Sequence, residues 1–213
     1  MIKKHNRKYY FFICICAVLI IVVSVIVYIL APRGKPVIVQ ENKFPFETVE
    51  DGDIICRLGD RFWSKIFRDI SVTDKRFSHM GIVRIRNDVI TVIHAEGDTG
   101  HGRDFVNEIA FDDFVKIARA IGIYRINDID GSQVSNLAME YIGIPFDWQF
   151  DMEDNTKLYC TELLYVILKR IDPAFELGTT FCKELGKDII TLDSISNSGN
   201  FTEMCFFSSG KRR

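Results

Sequence analysis

The stretch FSHMGIVRIRNDVITVIHAEG (Phe77–Gly97) decides how the chain folds. It holds two β-branched, apolar runs, HMGIVRI and VITVIHA, separated by Asn87-Asp88, a residue pair suited to a two-residue hairpin turn. That turn pairs Arg86 with Val89, so facing residue numbers sum to about 175 if the register continues. His79, Gly81, Val83 and Ile85 then share one face with Ile90, Val92, His94 and Glu96. The face is apolar except at one end, where two imidazoles and a carboxylate gather. His79 and His94 are diagonal neighbours, about 7–8 Å apart at the backbone, which is within reach of two rings. Gly81, opposite His94, leaves room for them.

An apolar face needs a cover. KLYCTELLYVIL (Lys157–Leu168) begins a helix whose Cys160, Leu163, Leu164, Ile167, Leu168 and Ile171 fall at helical spacing. The helix stops at Asp172-Pro173, since proline disfavours the α conformation in the residue before it. Laid on the histidine face, this stripe brings Cys160 to the helix start, where free N–H groups and the positive dipole end favour a thiolate. A histidine across the gap can take the thiol proton and a second polar group can orient it, the Cys–His–polar logic of acyl transfer. A cysteine on a helix stripe is also an ordinary small core residue, and both alternatives stand on pattern alone.

Around these segments, DGDIICRL (Asp51–Leu58) is expected to form a strand entered through an Asp-Gly turn, and AIGIYRI another. Helices are expected over Arg61–Ile70, Asp112–Ala120 and Gly131–Tyr141, with GIPFDWQF ending the last. Beyond Pro173 the chain is expected to be loop-rich, with a frayed end. Hairpin-length links between strands indicate α+β with an antiparallel sheet and not an alternating βαβ fold.

The first 35 residues stand apart. Tyr9–Ala31 contains 23 residues without a charge, longer than the ~7–15 of a signal-peptide core and matching the ~20 of a membrane-spanning helix. Four basic residues (Lys3, Lys4, Arg7, Lys8) precede the run and two (Arg33, Lys35) follow it, which puts the N-terminus in the cytoplasm and the remainder across the membrane. Residues 1–35 are thus expected to be a cytoplasmic tip and anchor, with Pro32–Pro45 containing an extended tether. Residues 36–213 are expected to be one domain on the periplasmic or extracytoplasmic side. With those six basic residues removed, 21 Lys and Arg face 29 Asp and Glu, a poor electrostatic match for nucleic acid. Of six cysteines, none forms a C-x-x-C pair, and zinc spacing and H-E-x-x-H are both absent. A Cys182–Cys205 disulfide stays open.

Taken in order, DGDIICRLGDRF, FSHMGIV, VIHAEG, GIPFDWQF and YCTELLYVIL resemble the motif series of the YiiX/YebB-like enzymes. These are circularly permuted, papain-like members of the NlpC-type cell-wall amidase superfamily, more distantly related to the lecithin:retinol acyltransferase group. The resemblance covers roughly Glu50–Ile171. It implies a permuted papain-like α+β fold in which the antiparallel sheet packs against the cysteine-bearing helix. It also implies Cys160 as nucleophile, His79 as general base and His94 as the group that orients it, where many relatives carry Glu. Glu96 is a backup orienter, and Asp53 and Tyr159 sit inside motifs as candidate supports that serve equally as turn-former and packing aromatic. The reaction implied is hydrolysis of an amide, or an ester, through a thioester acyl-enzyme, with neither metal nor organic cofactor. Substrates in view are cell-wall peptides or other small amides. The acidic stretch Asp147, Asp151, Glu153 and Asp154 either meets a cationic substrate group or simply faces water. Two other functions fit the same residues: a lipid-directed acyltransferase or lipase, and a ligand-binding module without catalysis.

Overall fold

The computed structural model describes residues 3–30, 46–59, 62–98 and 102–208. The chain falls into two compact units, Met1–Arg33 and Gly34–Arg213. The first holds one helix, α1 (Lys3–Leu30), a run without glycine or proline. From Ile13 to Ile26 its large aliphatic side chains are exposed, up to 66% at Ile20. The expected membrane-spanning helix is not borne out: among the described residues no helix is long and apolar enough to cross a membrane. The expected tether and the frayed C-terminus lie largely outside the described residues.

The second unit is built on a six-stranded antiparallel sheet. Its strands are β1 (Ile54–Leu58), β2 (His79–Arg86), β3 (Val89–Asp98), β4 (Arg103–Ala110), β5 (Ala120–Ile126) and, near the chain's end, a last strand (Phe201–Ser208). The helices are α2 (Phe62–Ile70), α3 (Phe111–Val115), α4 (Gly131–Met139), α5 (Cys160–Ile171) and α6 (Asp193–Ser196). A small hairpin, β6 (Thr180–Cys182) with β7 (Lys187–Ile189), makes a second sheet, so the last strand is β8. The large sheet runs β4-β3-β2-β1-β5-β8.

The hairpin forms as its turn dictates. Asn87 and Asp88 have φ of 52° and 63°, the paired left-handed values of a type I′ turn. Arg86 pairs with Val89, Val83 with Val92 and Ile82 with Ile93. Side-chain bulk is excluded where β1 begins: a Cβ on Gly52, whose φ is 86°, would lie 2.1 Å from the Gly131 carbonyl oxygen. The turn into β1 therefore seats directly on the start of α4, which Asp130 caps by accepting the Ser132 N–H at 2.9 Å.

Both faces of the sheet are apolar and both are covered. Met80, Ile82, Ile93 and Ala95 belong to one core with Leu163, Leu164, Ile167 and Leu168 of α5. Ile55, Val83, Val92, Ile121 and Ile123 belong to the other, closed by Phe111, Phe114 and Val115. Here the expected docking is corrected: α5 covers the face opposite the histidines, and α3 covers theirs. The helix expected over Asp112–Ala120 is a single turn and a half, because Ala120 already starts β5. The thiols of Cys182 and Cys205 are both free.

Candidate active site

α5 starts at Cys160 because the residues around it are tied down. Tyr159, in extended conformation, is the N-cap, and its N–H is accepted by the Glu162 carboxylate at 3.2 Å. The Tyr159 hydroxyl accepts the Ile190 N–H at 3.0 Å, and Thr161 donates to the Ile190 carbonyl at 2.7 Å. Both neighbours of Cys160 are thereby clamped to one residue, and Cys160 is left in the wall of a small cleft with Phe67, Ile70, Ser78, Phe150 and Tyr159. Burial pushes the Cys160 thiol up to about 11, against the pull of the Met80, Thr161 and Cys160 N–H groups and the Arg57 cation. The thiolate-favouring groups expected at a helix start are present, and desolvation outweighs them.

The two histidines meet as the hairpin register requires. His79 Nε2 lies 2.9 Å from His94 Nδ1, with ring centroids 5.1 Å apart and planes at 78°. The Phe114 ring stacks on His79 at 5.7 Å and meets His94 edge-on at 5.3 Å. Behind His94, Glu96 Oε2 stands 3.9 Å from Nε2, and Glu96 Oε1 is 3.4 Å from the Arg57 guanidinium. Glu96 therefore backs His94 and does not orient His79 directly. Gly81 is needed for this packing, since a Cβ there would lie 2.4 Å from Val92 Cγ1 and 3.1 Å from His94 Cβ.

Arg57 closes the cluster, and sequence reasoning missed it. It is the direct cross-strand partner of His79, its guanidinium lies 4.2 Å above the Phe114 ring, and it donates to the Phe114 carbonyl at 2.7 Å. Burial first, then the Arg57 cation, then His94 hold His79 well below the ordinary histidine value. The resting pair is thus neutral imidazole and neutral thiol.

Cys160 opens the helix that covers the face of β2 opposite the His79 side chain. The thiol lies against the N–H of Met80, the peptide that follows His79. Among the described residues no hydrogen bond joins Cys160 to His79; because Nε2 is engaged by His94, Nδ1 is the nitrogen left for the thiol.

Asp53 is not in the cleft wall. It is 2% exposed, holds Arg125 at 2.8 and 2.9 Å, and accepts the Glu50 N–H at 2.8 Å. Asp53→Ala removes the buried partner of Arg125, which keeps Glu50 at 2.6 Å and the Thr48 carbonyl at 2.8 Å, and also frees the Glu50 N–H; it is expected to cost about 1–2 kcal/mol. Urea titration measures that loss, and alkylation of Cys160 in the folded fraction should not change.

The acidic stretch is chiefly a turn. Asp147, 2% exposed, accepts the N–H groups of Gln149 and Asp151, Asp151 accepts that of Glu153, and Asp154 that of Thr156. Beneath it, burial and then Asp147, Asp151 and Asp154 push Glu162 up to about 8, against the Tyr159 N–H. Its folded value exceeds its unfolded one, so its contribution is full below pH 4.5 and is lost as pH rises to 8. Glu162→Gln is therefore expected to stabilise the protein at pH 9, by on the order of 5 kcal/mol at most, with a smaller effect at pH 6. Thermal melts at the two pH values read the difference.

Residues 48–192 match the permuted papain-like amidase enzymes of the YaeF/YiiX (C92) family. Among solved structures, that of the metalloprotein YiiX from Escherichia coli O157:H7 is similar in fold. It has a TM-score of 0.60 and 15% identity over 73% of this chain and 96% of that one. No curated protein sequence matches. Among the described residues of this chain, no group of three or more His, Cys, Asp or Glu side chains is placed to hold a metal ion.

Proposed function

The chain belongs to the permuted papain-like amidase family, and on that premise we propose that it is a cysteine-dependent hydrolase that cleaves an amide through a thioester on Cys160. The observation that carries this reading is the 2.9 Å contact of His79 Nε2 with His94 Nδ1, which leaves Nδ1 of a neutral imidazole as the candidate base, on the residue preceding the Met80 N–H that the helix-start thiol meets.

In the first step His79 Nδ1 takes the thiol proton as sulfur bonds to the substrate carbonyl carbon. The imidazolium then donates its Nε2–H to His94, whose far nitrogen faces the Glu96 carboxylate. Negative charge on the carbonyl oxygen meets the Cys160 N–H. Collapse breaks the C–N bond, and His79 returns the proton to the departing amine. Water, deprotonated by His79, hydrolyses the thioester to the acid and restores the thiol. Because both groups rest neutral, the proton moves when substrate arrives and no standing ion pair is required.

The test is a panel of small amides and cell-wall peptides. Release of amine, with the acyl group trapped on Cys160 by mass spectrometry after acid quench, supports hydrolysis. Transfer of acyl chains to an amine or lysolipid without cleavage of peptides identifies an acyltransferase in its place. Ligand binding unaffected by Cys160→Ala, with no turnover, identifies a binding module.

An N-terminal single-pass anchor rests on the sequence, the uncharged run Tyr9–Ala31; among the described residues no helix is long and apolar enough to span a membrane. The four-to-two charge asymmetry supports a catalytic domain, residues 36–213, outside the cytoplasm. Fusion of alkaline phosphatase to the C-terminus gives activity in that orientation and none in the reverse.

A further inference from the structure

The cleft beside Cys160 offers a substrate little besides carbon. Its hydroxyls are already engaged: Ser78 accepts the Gly59 N–H at 3.1 Å, Tyr159 accepts from Ile190, Thr161 donates to Ile190, and Thr191 is held by Asp193. None of the lining residues is charged, and Phe67, Ile70, Phe150, Ile190 and Leu192 supply most of the wall.

Phe150 is the residue that costs most to put there. Its φ is 54°, a left-handed conformation that a bulky side chain rarely adopts and that stores on the order of 1–3 kcal/mol. Buried Asp147 holds it, accepting N–H groups from Gln149 and Asp151 on either side. The ring is then fixed at 4.9 Å from Tyr159 and 5.8 Å from Phe67, beside the thiol. A strained backbone spent on an aromatic wall at the nucleophile points to selection of what lies against it.

We propose that this cleft is the acyl-group subsite, that it takes an uncharged aliphatic or aromatic acyl group, and that Phe150 is its specificity-determining residue. The inference rests on Cys160 being the nucleophile. A charged acyl group would be buried here without a partner, a penalty larger than any single apolar contact provides.

Chloromethyl ketones R–CO–CH₂Cl test it without turnover: a C–S bond forms, the C–Cl bond breaks, chloride leaves and the thiol proton passes to solvent. With the full chain at pH 8, Cys160 should alkylate saturably and roughly tenfold or more faster when R is pentyl or benzyl than when R is carboxybutyl or aminobutyl. Phe150→Gly removes the ring while accepting the positive φ, so the fold is kept, and it should erase the apolar preference. Ile70→Lys, at the half-buried end of α2, should turn the preference toward the carboxybutyl reagent. Equal rates for all four reagents, fastest labelling by the aminobutyl reagent, or an unchanged preference in Phe150→Gly would each overturn the proposal. Apolar preference in a protein that hydrolyses no amide or ester would leave the subsite standing and remove the catalytic reading.

Discussion

Cys160→Ala is expected to abolish amide hydrolysis outright, and His79→Ala to lower kcat/KM by roughly a hundred- to ten-thousand-fold, while both variants unfold at temperatures near that of the parent. The first substitution removes one sulfur atom from a cleft wall and leaves the Tyr159 and Thr161 clamps to Ile190 intact. The second removes a ring at the end of β2 and leaves the apolar ladder behind it, Met80, Ile82 and Val83, in place. His94 separates chemistry from packing. His94→Asn keeps an acceptor near His79 Nε2 and should retain more activity than His94→Ala, although both lose the same ring against Phe114. Hydrolysis surviving in Cys160→Ala would remove the thioester from consideration.

Arg57→Met should move two ionisations in the same direction. The cation opposes a proton on His79 and favours a negative charge on Cys160. Without it the imidazole is protonated more readily and the thiol gives up its proton less readily, so both values rise. Alkylation of Cys160 by iodoacetamide then slows at neutral pH, and its basic limb moves above the parental midpoint of about 11. The acid limb of activity also moves up, yet stays below the free histidine value, because burial is the larger cause at His79. Stability should fall by about 3 kcal/mol, since Glu96 loses its partner and the Phe114 carbonyl its donor. Arg57→Lys retains the charge and loses the fork; its pH profile should follow the parent even where its stability does not. A pH profile unmoved in Arg57→Met would leave the residue a purely structural role.

The hairpin was legible in the sequence because two residues, Asn87 and Asp88, set its turn and the turn sets the register. The start of α5 was legible because a periodic apolar stripe meets a clear stop at Asp172-Pro173. Which face of the sheet α5 takes was not, for alternation cannot rank two faces that are both apolar: Val83 and Val92 look as suitable as Ile82 and Ile93. β4 and β8 went unread as strands because each lies at a sheet edge, where burial imposes little alternation; β8 buries only Phe201 fully. Arg57 was hidden for another reason. Its place beside His79 depends on β1 pairing with β2 across an intervening helix, and no turn fixes that register. Phe150 was equally hidden, since nothing in GIPFDWQF announces a left-handed phenylalanine.

The order of elements along the chain also has a consequence during synthesis. The surface that α5 covers, Met80, Ile82, Ile93 and Ala95, is complete once β3 has been made, yet its cover is translated only from Cys160 onward. At roughly 5–20 residues per second, a greasy sheet face waits several seconds for its lid, and the proposed nucleophile is the first residue of that lid. A nascent chain therefore carries both histidines well before it carries the thiol they would serve, so the proposed chemistry would begin only after the last large helix has docked. The same interval exposes the naked face to neighbouring chains, which makes slowed translation between Ala95 and Cys160 the condition most apt to lower soluble yield.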